Sequence, residues 1–376
     1  MAEKILVTKS FLPPLEEYTE EIKSIFESRW LTNMGEKHEA LREGLKKFLK
    51  TPDICLFQNG HLALELALQA LGLKGEIITT PYTFASTTWA ILRSGSVPVF
   101  CDIDPDSFCM DPAKVEALIT ERTVAILPVH VYGNFCDVEA LQEIADRHGL
   151  KLIYDAAHAF GAEYRGKSAA AYGDLVMFSF HATKVFHTIE GGAVCFRDPA
   201  LYDRLFRIKN FGIQENETYM VGGNAKMNEF EAAMGLCNLR HMEEILAGRK
   251  RVYEQYLSEL ADVPGLRLPR PQEGVKPNYA YFPVLFDEEA YGENRDASAA
   301  RMNAEGIYPR KYFYPCTNDF SFLKERDIPG LPAMSGPLDP GDTPIARKAS
   351  DSVLTLPLYG DLPEETVHRI CQIIRK

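Results

Sequence analysis

Apolar residues in the first part of the chain recur every three or four positions, which is the spacing of an amphipathic helix. Leu15, Tyr18 and Ile22 begin the first such series, and two further series follow before residue 75. Each series would place its apolar residues on one face of a helix. The pattern predicts helices over residues 13–29, 37–50 and 60–72.

From residue 76 the pattern changes, and short apolar runs alternate with amphipathic stretches. The apolar runs suit strands that are buried on both faces, and the stretches between them suit helices that cover those strands. The predicted strands are Glu76–Thr79, Val97–Cys101, Val124–Val129, Leu152–Tyr154, Leu175–Phe178 and Ala193–Phe196. The predicted helices cover residues 83–94, 111–119 and 137–148. This alternation predicts an α/β fold with a mostly parallel central sheet and helices on both of its faces.

The last third of the chain has a different pattern. A long charged stretch over residues 226–260 has helical spacing, and proline-rich punctuation follows it. After this come a predicted strand, Tyr279–Phe286, and a predicted helix over residues 297–305. We therefore expect two domains. An N-terminal segment with a large domain covers residues 1–245, and a smaller C-terminal α+β domain covers residues 246–376.

Composition narrows the class of protein. Hydrophobic residues make up 46% of the 376 positions and charged residues 25%, as in ordinary globular proteins. No apolar run approaches the ~18–20 residues that span a bilayer, and the opening residues lack the apolar region of a secretory signal. We therefore expect a cytoplasmic protein without a membrane partner.

Charge and cysteine content exclude further classes. The formal net charge is −12, and no basic tract is present, which disfavours binding to nucleic acid or to an anionic membrane. A local pocket can still take a small anion. The eight cysteines are scattered, without C-x-x-C or C-x-x-H spacing, so we expect no metal site and no disulfide framework. Reduced cysteines that pack as small apolar residues are typical of the cytosol.

One segment, Gly161–Ser168, matches the G-x-x-x-x-G-K-S expression of phosphate-binding loops. A loop of that kind follows a buried strand and opens a helix, so that free N–H groups face the phosphate. This segment instead alternates like a strand, and Glu163 would bring negative charge toward the ligand. We predict a surface hairpin that turns at Arg165, Gly166 and Lys167.

Two residues with complementary chemistry follow predicted strands. Asp155 ends the run KLIYD, and Lys184 comes shortly after the run LVMFSF. Ligand groups collect at the carboxyl ends of strands in α/β sheets, so a carboxylate and an amine would face one crevice. Pyridoxal phosphate (PLP) needs such a pair, a lysine for covalent attachment and an acid for its pyridine nitrogen. An aspartate that caps a helix and a lysine on a solvated loop would give the same spacing.

A third feature adds a candidate phosphate site. Asn59 and Gly60 precede the helical run LALELALQALG, and the free N–H groups and dipole at a helix start attract anions. Plain capping of the helix by Asn59 is the alternative. A phosphate site, a strand-end aspartate and a strand-end lysine in this order form a set that is more specific than any of its parts.

The motifs around these residues resemble one family over nearly the whole chain, the DegT/DnrJ/StrS-type PLP-dependent nucleotide-sugar aminotransferases. The matching segments are SRWLTNMG at 28–35, NGHLALELAL at 59–68, PYTFAST at 81–87, DIDPDSF at 102–108, PVHVYG at 128–133, DAAHAFGA at 155–162, FSFHATK at 178–184, EGGA at 190–193, GGNAKMNEFEAAMG at 222–235 and LPLYGDL at 356–362. The resemblance implies the aspartate-aminotransferase-like fold (fold type I), with PLP as the cofactor.

The resemblance implies a role for each residue around the cofactor ring. Lys184 would attach the cofactor covalently and move protons during the reaction, which makes it the catalytic residue. Asp155 would pair with the pyridine nitrogen, and His158 would lie near the ring hydroxyl. Phe84 would stack on the ring.

The phosphate would be held by the backbone of Gly60 and His61 and by Ser179. Asn224 of the partner subunit would complete the site, which implies a homodimer with shared active sites. Two positions depart from the family pattern. Lys226 stands where arginine is usual, so the charge is kept without bidentate pairing. His61 stands where serine or threonine is common, so a hydroxyl contact is lost.

The resemblance also implies a reaction. One branch of the family has histidine in place of the lysine and acts as a dehydratase, so Lys184 favours transamination. The run from Ser179 to Lys184 resembles enzymes that aminate C4 of the sugar. The residues after it resemble enzymes that make dTDP-4-amino-4,6-dideoxyglucose. The implied substrates are L-glutamate as the amino donor and dTDP-4-keto-6-deoxyglucose as the acceptor.

Seven residues are candidates for binding the nucleotide-sugar above the cofactor. They are Thr32, Asn33, Met34, His181, Arg310, Lys311 and Tyr312. The cations among them would offset the pyrophosphate charge despite the acidic chain, although Arg310 and Lys311 also fit a solvated basic turn.

Four other activities stay open at this point. They are amination at C3, use of a UDP-sugar, an amino-acid aminotransferase of the same fold, and a PLP-binding regulator without turnover. The end product of the pathway, which could be an O-antigen sugar, an antibiotic sugar or another glycoconjugate, is open as well.

Overall fold

The computed structural model describes residues 4–324 and 341–375. Its α-helices are α1 (Leu15–Ser28), α2 (Glu36–Leu49), α3 (Gly60–Leu71), α4 (Ala85–Arg93), α5 (Pro112–Val115), α6 (Val138–His148), α7 (Ala200–Lys209), α8 (Glu229–Arg240), α9 (Met242–Leu260), α10 (Glu288–Tyr291), α11 (Arg295–Ala304), α12 (Pro344–Ser352) and α13 (Glu364–Arg375). Its strands are β1 (Ile5–Leu6), β2 (Asp53–Phe57), β3 (Glu76–Thr79), β4 (Val97–Phe100), β5 (Thr123–Leu127), β6 (Lys151–Asp155), β7 (Glu163–Tyr164), β8 (Lys167–Ser168), β9 (Leu175–Ser179), β10 (Gly192–Phe196), β11 (Ile213–Gln214), β12 (Glu217–Thr218), β13 (Leu266–Arg267), β14 (Val275–Lys276), β15 (Phe282–Phe286), β16 (Ile307–Tyr308) and β17 (Val353–Leu356).

A seven-stranded sheet with the order β2-β10-β9-β6-β5-β3-β4 forms the centre of the molecule. Strand β10 is antiparallel to both of its neighbours, and the other pairs are parallel. The mostly parallel sheet is thus confirmed, and each of the six predicted strands is present with ends within two residues of the prediction. The short edge strand β2 was missed, because its five residues lie between two strong helical patterns.

Alternate residues of the same strand enter two different apolar cores. On β2, Leu56 belongs to one core and Phe57 to the other, and on β6 Tyr154 and Ile153 divide in the same way. Side chains of successive strand residues point to opposite faces of a sheet. The central sheet is therefore buried on both faces, which explains why its strands read as continuous apolar runs.

The helical stretch predicted over residues 226–260 is present as two helices with a break between them. The first helix, α8, starts only after Asn228, whose side chain accepts from the Glu231 N–H in a capping box. The backbone then leaves the helical conformation at His241 (φ −96°, ψ 7°), and α9 follows. His241 Nε2 lies 2.7 Å from the Glu17 carboxylate of α1. A contact with a distant helix leaves no mark on the local periodicity, so the break could not be predicted from it.

The C-terminal part has its own core and a three-stranded antiparallel sheet, β13-β15-β17. The predicted strand Tyr279–Phe286 is shorter in the structure, because Tyr279 has a positive φ of 54° and pairing begins only at Phe282. Helix α9 runs through residues 245 and 246. The division of the chain at that point stays a prediction.

The predicted hairpin is confirmed. Strands β7 and β8 pair in antiparallel fashion, with Glu163 opposite Ser168. Both turn residues, Arg165 (φ 48°) and Gly166 (φ 75°), have positive φ, as a tight two-residue hairpin turn requires. The segment that matches the sequence pattern of a phosphate-binding loop therefore forms a hairpin.

In the described ranges, helices long and apolar enough to cross a membrane are absent.

Candidate active site

One edge of the central sheet carries a cavity of about 730 Å³. The carboxyl ends of β2, β3, β6 and β9 meet at this edge, together with the amino end of the antiparallel β10. Ten of the residues that the sequence singled out line the cavity. They are Gly60, His61, Phe84, Asp155, His158, Ser179, His181, Lys184, Arg310 and Tyr312.

Asp155, the last residue of β6, is buried at the floor of the cavity. Its Oδ2 accepts from Thr87 Oγ1 at 2.7 Å and its Oδ1 from the Ala157 N–H at 3.0 Å. Burial raises the pKa of the Asp155 carboxyl, although these two hydrogen bonds and the charge of Lys184 lower it. A cation against this carboxylate would remove the cost of burial, which fits a protonated pyridine nitrogen.

Lys184 lies on the loop after β9, half-buried, and faces the same cavity. Its backbone N–H closes a turn onto the His181 carbonyl at 2.9 Å. Over the described stretches, the side-chain amine of Lys184 has no hydrogen bond and no ion pair. An amine that is positioned by its backbone but left without a partner fits covalent attachment of a carbonyl ligand.

His158 is buried in an aromatic wall, and its tautomer is fixed. Its Nδ1 accepts from the Tyr132 backbone N–H at 3.1 Å, and its Nε2 lies 3.2 Å from the Tyr312 hydroxyl. Burial lowers the pKa of His158 well below its ordinary value, and the charges of Lys184 and Arg310 lower it further. The ring is therefore neutral with its proton on Nε2, and it donates to Tyr312.

The start of α3 forms an anion cradle at the other end of the cavity. Asn59 caps the helix by accepting from the Leu62 N–H at 2.8 Å. In the described structure the N–H groups of Gly60 and His61 have no protein acceptor, so capping and anion binding are compatible. A Cβ on Gly60 would lie 2.8 Å from the Ser179 Cβ. Because Gly60 has no side chain, the Ser179 side chain can lie next to the two N–H groups.

Phe84 stands at the mouth of the cavity with 51% of its surface exposed. It is the N-cap residue of α4, where its own side chain makes no capping hydrogen bond. The exposed aromatic face, the buried carboxylate, the amine and the anion cradle are the four groups that PLP requires. The residues present therefore fit the expected cofactor.

Five of the predicted site residues do not line this cavity. Thr32 and Asn33 are exposed and Met34 is half-buried, and they form a turn with positive φ at Asn33 and Met34. Lys311 Nζ pairs with Asp296 at 2.8 Å. Asn224 is exposed, and its Oδ1 accepts from Lys226 Nζ at 2.7 Å. The roles of these five residues stay predictions.

Several residues that support the site were missed by the sequence reasoning. Thr87 holds Asp155, and its hydroxyl also lies 2.8 Å from Thr83 Oγ1. Ser86 contacts the His61 ring, and the Tyr281 ring lies 4.8 Å from that of His158. The i, i+4 spacing of Thr83 and Thr87 inside the motif PYTFAST was an available signal for the first pair.

Comparisons with known proteins agree with this geometry. Residues 15–375 match the DegT/DnrJ/EryC1/StrS aminotransferase family. A dTDP-4-amino-4,6-dideoxy-D-glucose transaminase of Shigella dysenteriae is 40% identical over 378 residues and covers 100% of both chains. A protein of the same name from Escherichia coli is 41% identical and covers 98% of both chains.

Solved structures show the same fold. DesI, determined in the presence of its TDP-sugar product, superposes with a TM-score of 0.91 at 33% identity and covers 100% of this chain and 93% of its own. S. venezuelae DesV superposes with a TM-score of 0.87 at 30% identity, with coverages of 96% and 94%. The expected fold of a PLP-dependent aminotransferase is thus confirmed. PLP is the cofactor of these aminotransferases, as the resemblance implied. The chain belongs to the DegT/DnrJ/EryC1/StrS aminotransferase family.

Proposed function

We propose that this enzyme transfers the amino group of L-glutamate to C4 of dTDP-4-keto-6-deoxyglucose and forms dTDP-4-amino-4,6-dideoxyglucose. The observation that carries the proposal is the set of Lys184, Asp155 and an anion cradle around one cavity, in a chain that is 40% and 41% identical over its length to two relatives named for this product. DesI, which was solved with a TDP-sugar, supports a nucleotide-sugar as the substrate class.

Four residues that line the cavity have a defined task in this reaction. Bound PLP supplies an electron-accepting ring that carries the amino group from one substrate to the next. Asp155 would accept the hydrogen bond of the pyridine N–H and keep that nitrogen protonated. Lys184 Nζ would take up and return the proton at the reacting carbon. His158, which is neutral, would orient the Tyr312 hydroxyl, and Phe84 would cover the ring face.

Arg310 is the best placed cation for the pyrophosphate of the substrate. It is exposed at the cavity, and its guanidinium lies 4.4 Å from the centre of the Tyr312 ring. No carboxylate of the described residues pairs with it. A guanidinium that is held on an aromatic face but not neutralised suits an anionic group. His181, whose Nε2 lies 3.6 Å from Glu190 Oε1, would contact the sugar beside Lys184.

We further propose a homodimer in which Asn224 of the partner subunit completes the phosphate site. Phe26 and Trp30 are 68% and 55% exposed, and large apolar side chains with such exposure are typical of interfaces. Both precede the turn at 32–34, which does not line the cavity of its own chain. A shared site would bring this turn and Asn224 to the neighbouring cavity.

Mixing two inactive variants tests the shared site. Lys184→Ala and Asn224→Ala each damage one half of every shared site, so hybrid dimers contain one intact site and one doubly altered site. At random mixing we expect about a quarter of wild-type activity after dissociation and reassociation. Activity that stays at the level of the separate variants would contradict the shared site.

We also place the enzyme in the cytoplasm. All eight cysteines are free and buried, and such cysteines persist in a reducing compartment. Fractionation of cells that express the full chain, with the activity followed in each fraction, checks this placement.

A product analysis tests the reaction itself. Purified enzyme with glutamate receives dTDP-4-keto-6-deoxyglucose, the corresponding 3-keto sugar or the UDP analogue of the 4-keto sugar in separate reactions. NMR of each product identifies the carbon that carries nitrogen. We expect amination at C4 of the dTDP-sugar. Amination only at C3, preference for the UDP-sugar, or bound PLP without turnover of any sugar would each contradict the proposal.

A further inference from the structure

His61 and Ser86 lie side by side at the phosphate end of the cavity. His61 is the second residue of α3 and Ser86 the second residue of α4, and both line the cavity. His61 Nδ1 lies 2.9 Å from Ser86 Oγ. The pair is therefore next to the N–H groups that form the anion cradle.

A carboxylate determines which ring nitrogen of His61 carries the proton. Glu65, one turn further along α3, places its Oε2 3.5 Å from His61 Nε2. Arg93 Nε donates to the same oxygen at 2.7 Å. An anion beside Nε2 favours a proton on that nitrogen. In the neutral ring, Nδ1 is therefore an acceptor, and the Ser86 hydroxyl donates to it.

Protonation of His61 reverses this hydrogen bond. The second proton is added at Nδ1, which then donates to Ser86 Oγ. The hydroxyl proton of Ser86 is released from the ring and becomes available to an acceptor in the cavity. A phosphate is such an acceptor, and it is attracted to the positive ring as well.

We propose that Ser86 is a direct ligand of the cofactor phosphate and that protonation of His61 turns its hydroxyl toward that phosphate. The inference rests on the proposed function, since it takes PLP as the occupant of the cavity. Ser86 would thus supply a hydroxyl contact to the phosphate from the helix that neighbours His61.

The charged side chains near His61, within the described part of the chain, come from two helices. Burial lowers the pKa of His61, Glu65 on α3 raises it, and Arg93 on α4 lowers it. A bound phosphate adds negative charge beside the ring and raises the pKa of His61 in the complex. The extra stabilisation of the bound phosphate is fully present below the pKa of His61 in the free protein. It is lost as the pH rises through the pKa of His61 in the complex.

Cofactor-binding measurements on the apoenzyme test this contact. Dissociation constants are measured for PLP and for pyridoxal, which lacks the phosphate, so that their ratio isolates the phosphate contribution. The range from about pH 6.5 to about pH 9 covers histidine titration while the phosphate is mostly a dianion. For the wild type we expect the preference for PLP over pyridoxal to fall across this range.

Three variants sharpen the result. Ser86→Ala should raise the Kd of PLP about tenfold at the acid end of the range and leave the Kd of pyridoxal unchanged. His61→Thr offers a hydroxyl that does not titrate, so PLP binding is kept and its pH dependence is lost. Thr88→Val is the matched control, because the Thr88 hydroxyl on the same helix donates to Thr317 outside the cavity lining, and it should bind PLP like the wild type.

The outcomes separate the inference from the proposed function. An unchanged PLP constant and pH profile in Ser86→Ala would overturn the phosphate contact and leave the cofactor assignment intact. A wild-type apoenzyme that does not bind PLP would overturn the proposed function itself. An NMR titration of the ring nitrogens adds a direct readout. The pKa of His61 should rise when PLP binds, and a pKa that stays in place contradicts the inference.

Discussion

The inner wall and the outer rim of the cavity are built in different ways. On the wall, Asp155 and His158 are buried, and two hydrogen bonds hold each side chain. On the rim, Phe84 and Arg310 are exposed, and Arg310 is without a carboxylate partner in the described ranges. The two wall side chains are therefore held by hydrogen bonds without a ligand, whereas the exposed Arg310 rests on the ring of Tyr312.

This difference matches the two kinds of ligand that the proposed function requires. A cofactor that stays bound through every turnover gains from partners that are already in place, because little side-chain entropy is then lost on binding. Glutamate and a nucleotide-sugar use the same opening in turn, which requires side chains that can serve both. Changes in the wall should therefore act on the rate, and changes at the rim should act on KM.

The largest effect is expected for the amine of Lys184. Lys184→Ala should lower kcat by more than about 10³-fold, since the variant loses both the covalent attachment and the group that moves the proton. Steady-state kinetics give the rate, and borohydride reduction followed by peptide mass spectrometry shows whether PLP is attached at this position in the wild type. A variant that keeps about a tenth of the wild-type rate would contradict this role.

The next largest effect is expected for the buried carboxylate. Asp155→Asn keeps the shape and an acceptor for Thr87 but removes the charge that, in the proposed function, would hold the pyridine nitrogen protonated. The loss of one preformed electrostatic contact at the reacting group lowers kcat by about 10²-fold. The KM of the nucleotide-sugar should change little, because the rim is intact. A change confined to KM would place Asp155 on the substrate side of the cavity.

A smaller effect is expected for Thr87, which donates a hydrogen bond to this carboxylate. Thr87→Val removes a hydrogen bond that lowers the pKa of Asp155, so the pKa of the carboxyl rises further. Activity needs the ionised form, and the acid limb of the kcat/KM profile should therefore move to higher pH. The loss of one hydrogen bond to a charged group should lower kcat/KM about tenfold at pH values below that limb. An unshifted pH profile with a uniform loss of rate would indicate a merely structural role for Thr87.

The cavity residues that we propose to bind the cofactor could be found from the sequence because their placement is local. Asp155 and Lys184 each come at the end of an apolar strand, and Gly60 opens a helix. Because ligand groups collect at the carboxyl ends of strands in α/β sheets, these residues are expected at one edge of the sheet. Thr87 and the pair of His61 and Ser86 could not be found in this way. Their contacts join residues 68 and 25 positions apart and depend on how α4 packs against β6 and α3.

The rim shows a second limit of sequence reasoning. Arg310 and Lys311 are adjacent in one basic turn, and the sequence could not separate them. In the structure Arg310 lines the cavity, whereas Lys311 pairs with Asp296. The same limit applies to the break at His241, where a contact with α1 interrupts a pattern that is helical on both sides.

The smallest effect is expected at the rim. Arg310→Gln should raise the KM of the nucleotide-sugar about two- to fivefold and leave kcat almost unchanged, because an exposed ion pair contributes only ~0.2–1 kcal/mol. The difference should shrink as ionic strength rises, since salt screens exposed charges. Lys250→Gln is the matched control. It removes an exposed cation on α9 whose partner is Glu254 and should change neither KM nor its salt dependence. A loss of kcat in Arg310→Gln would mean that the rim takes part in the chemical step and that the contrast with the wall does not hold.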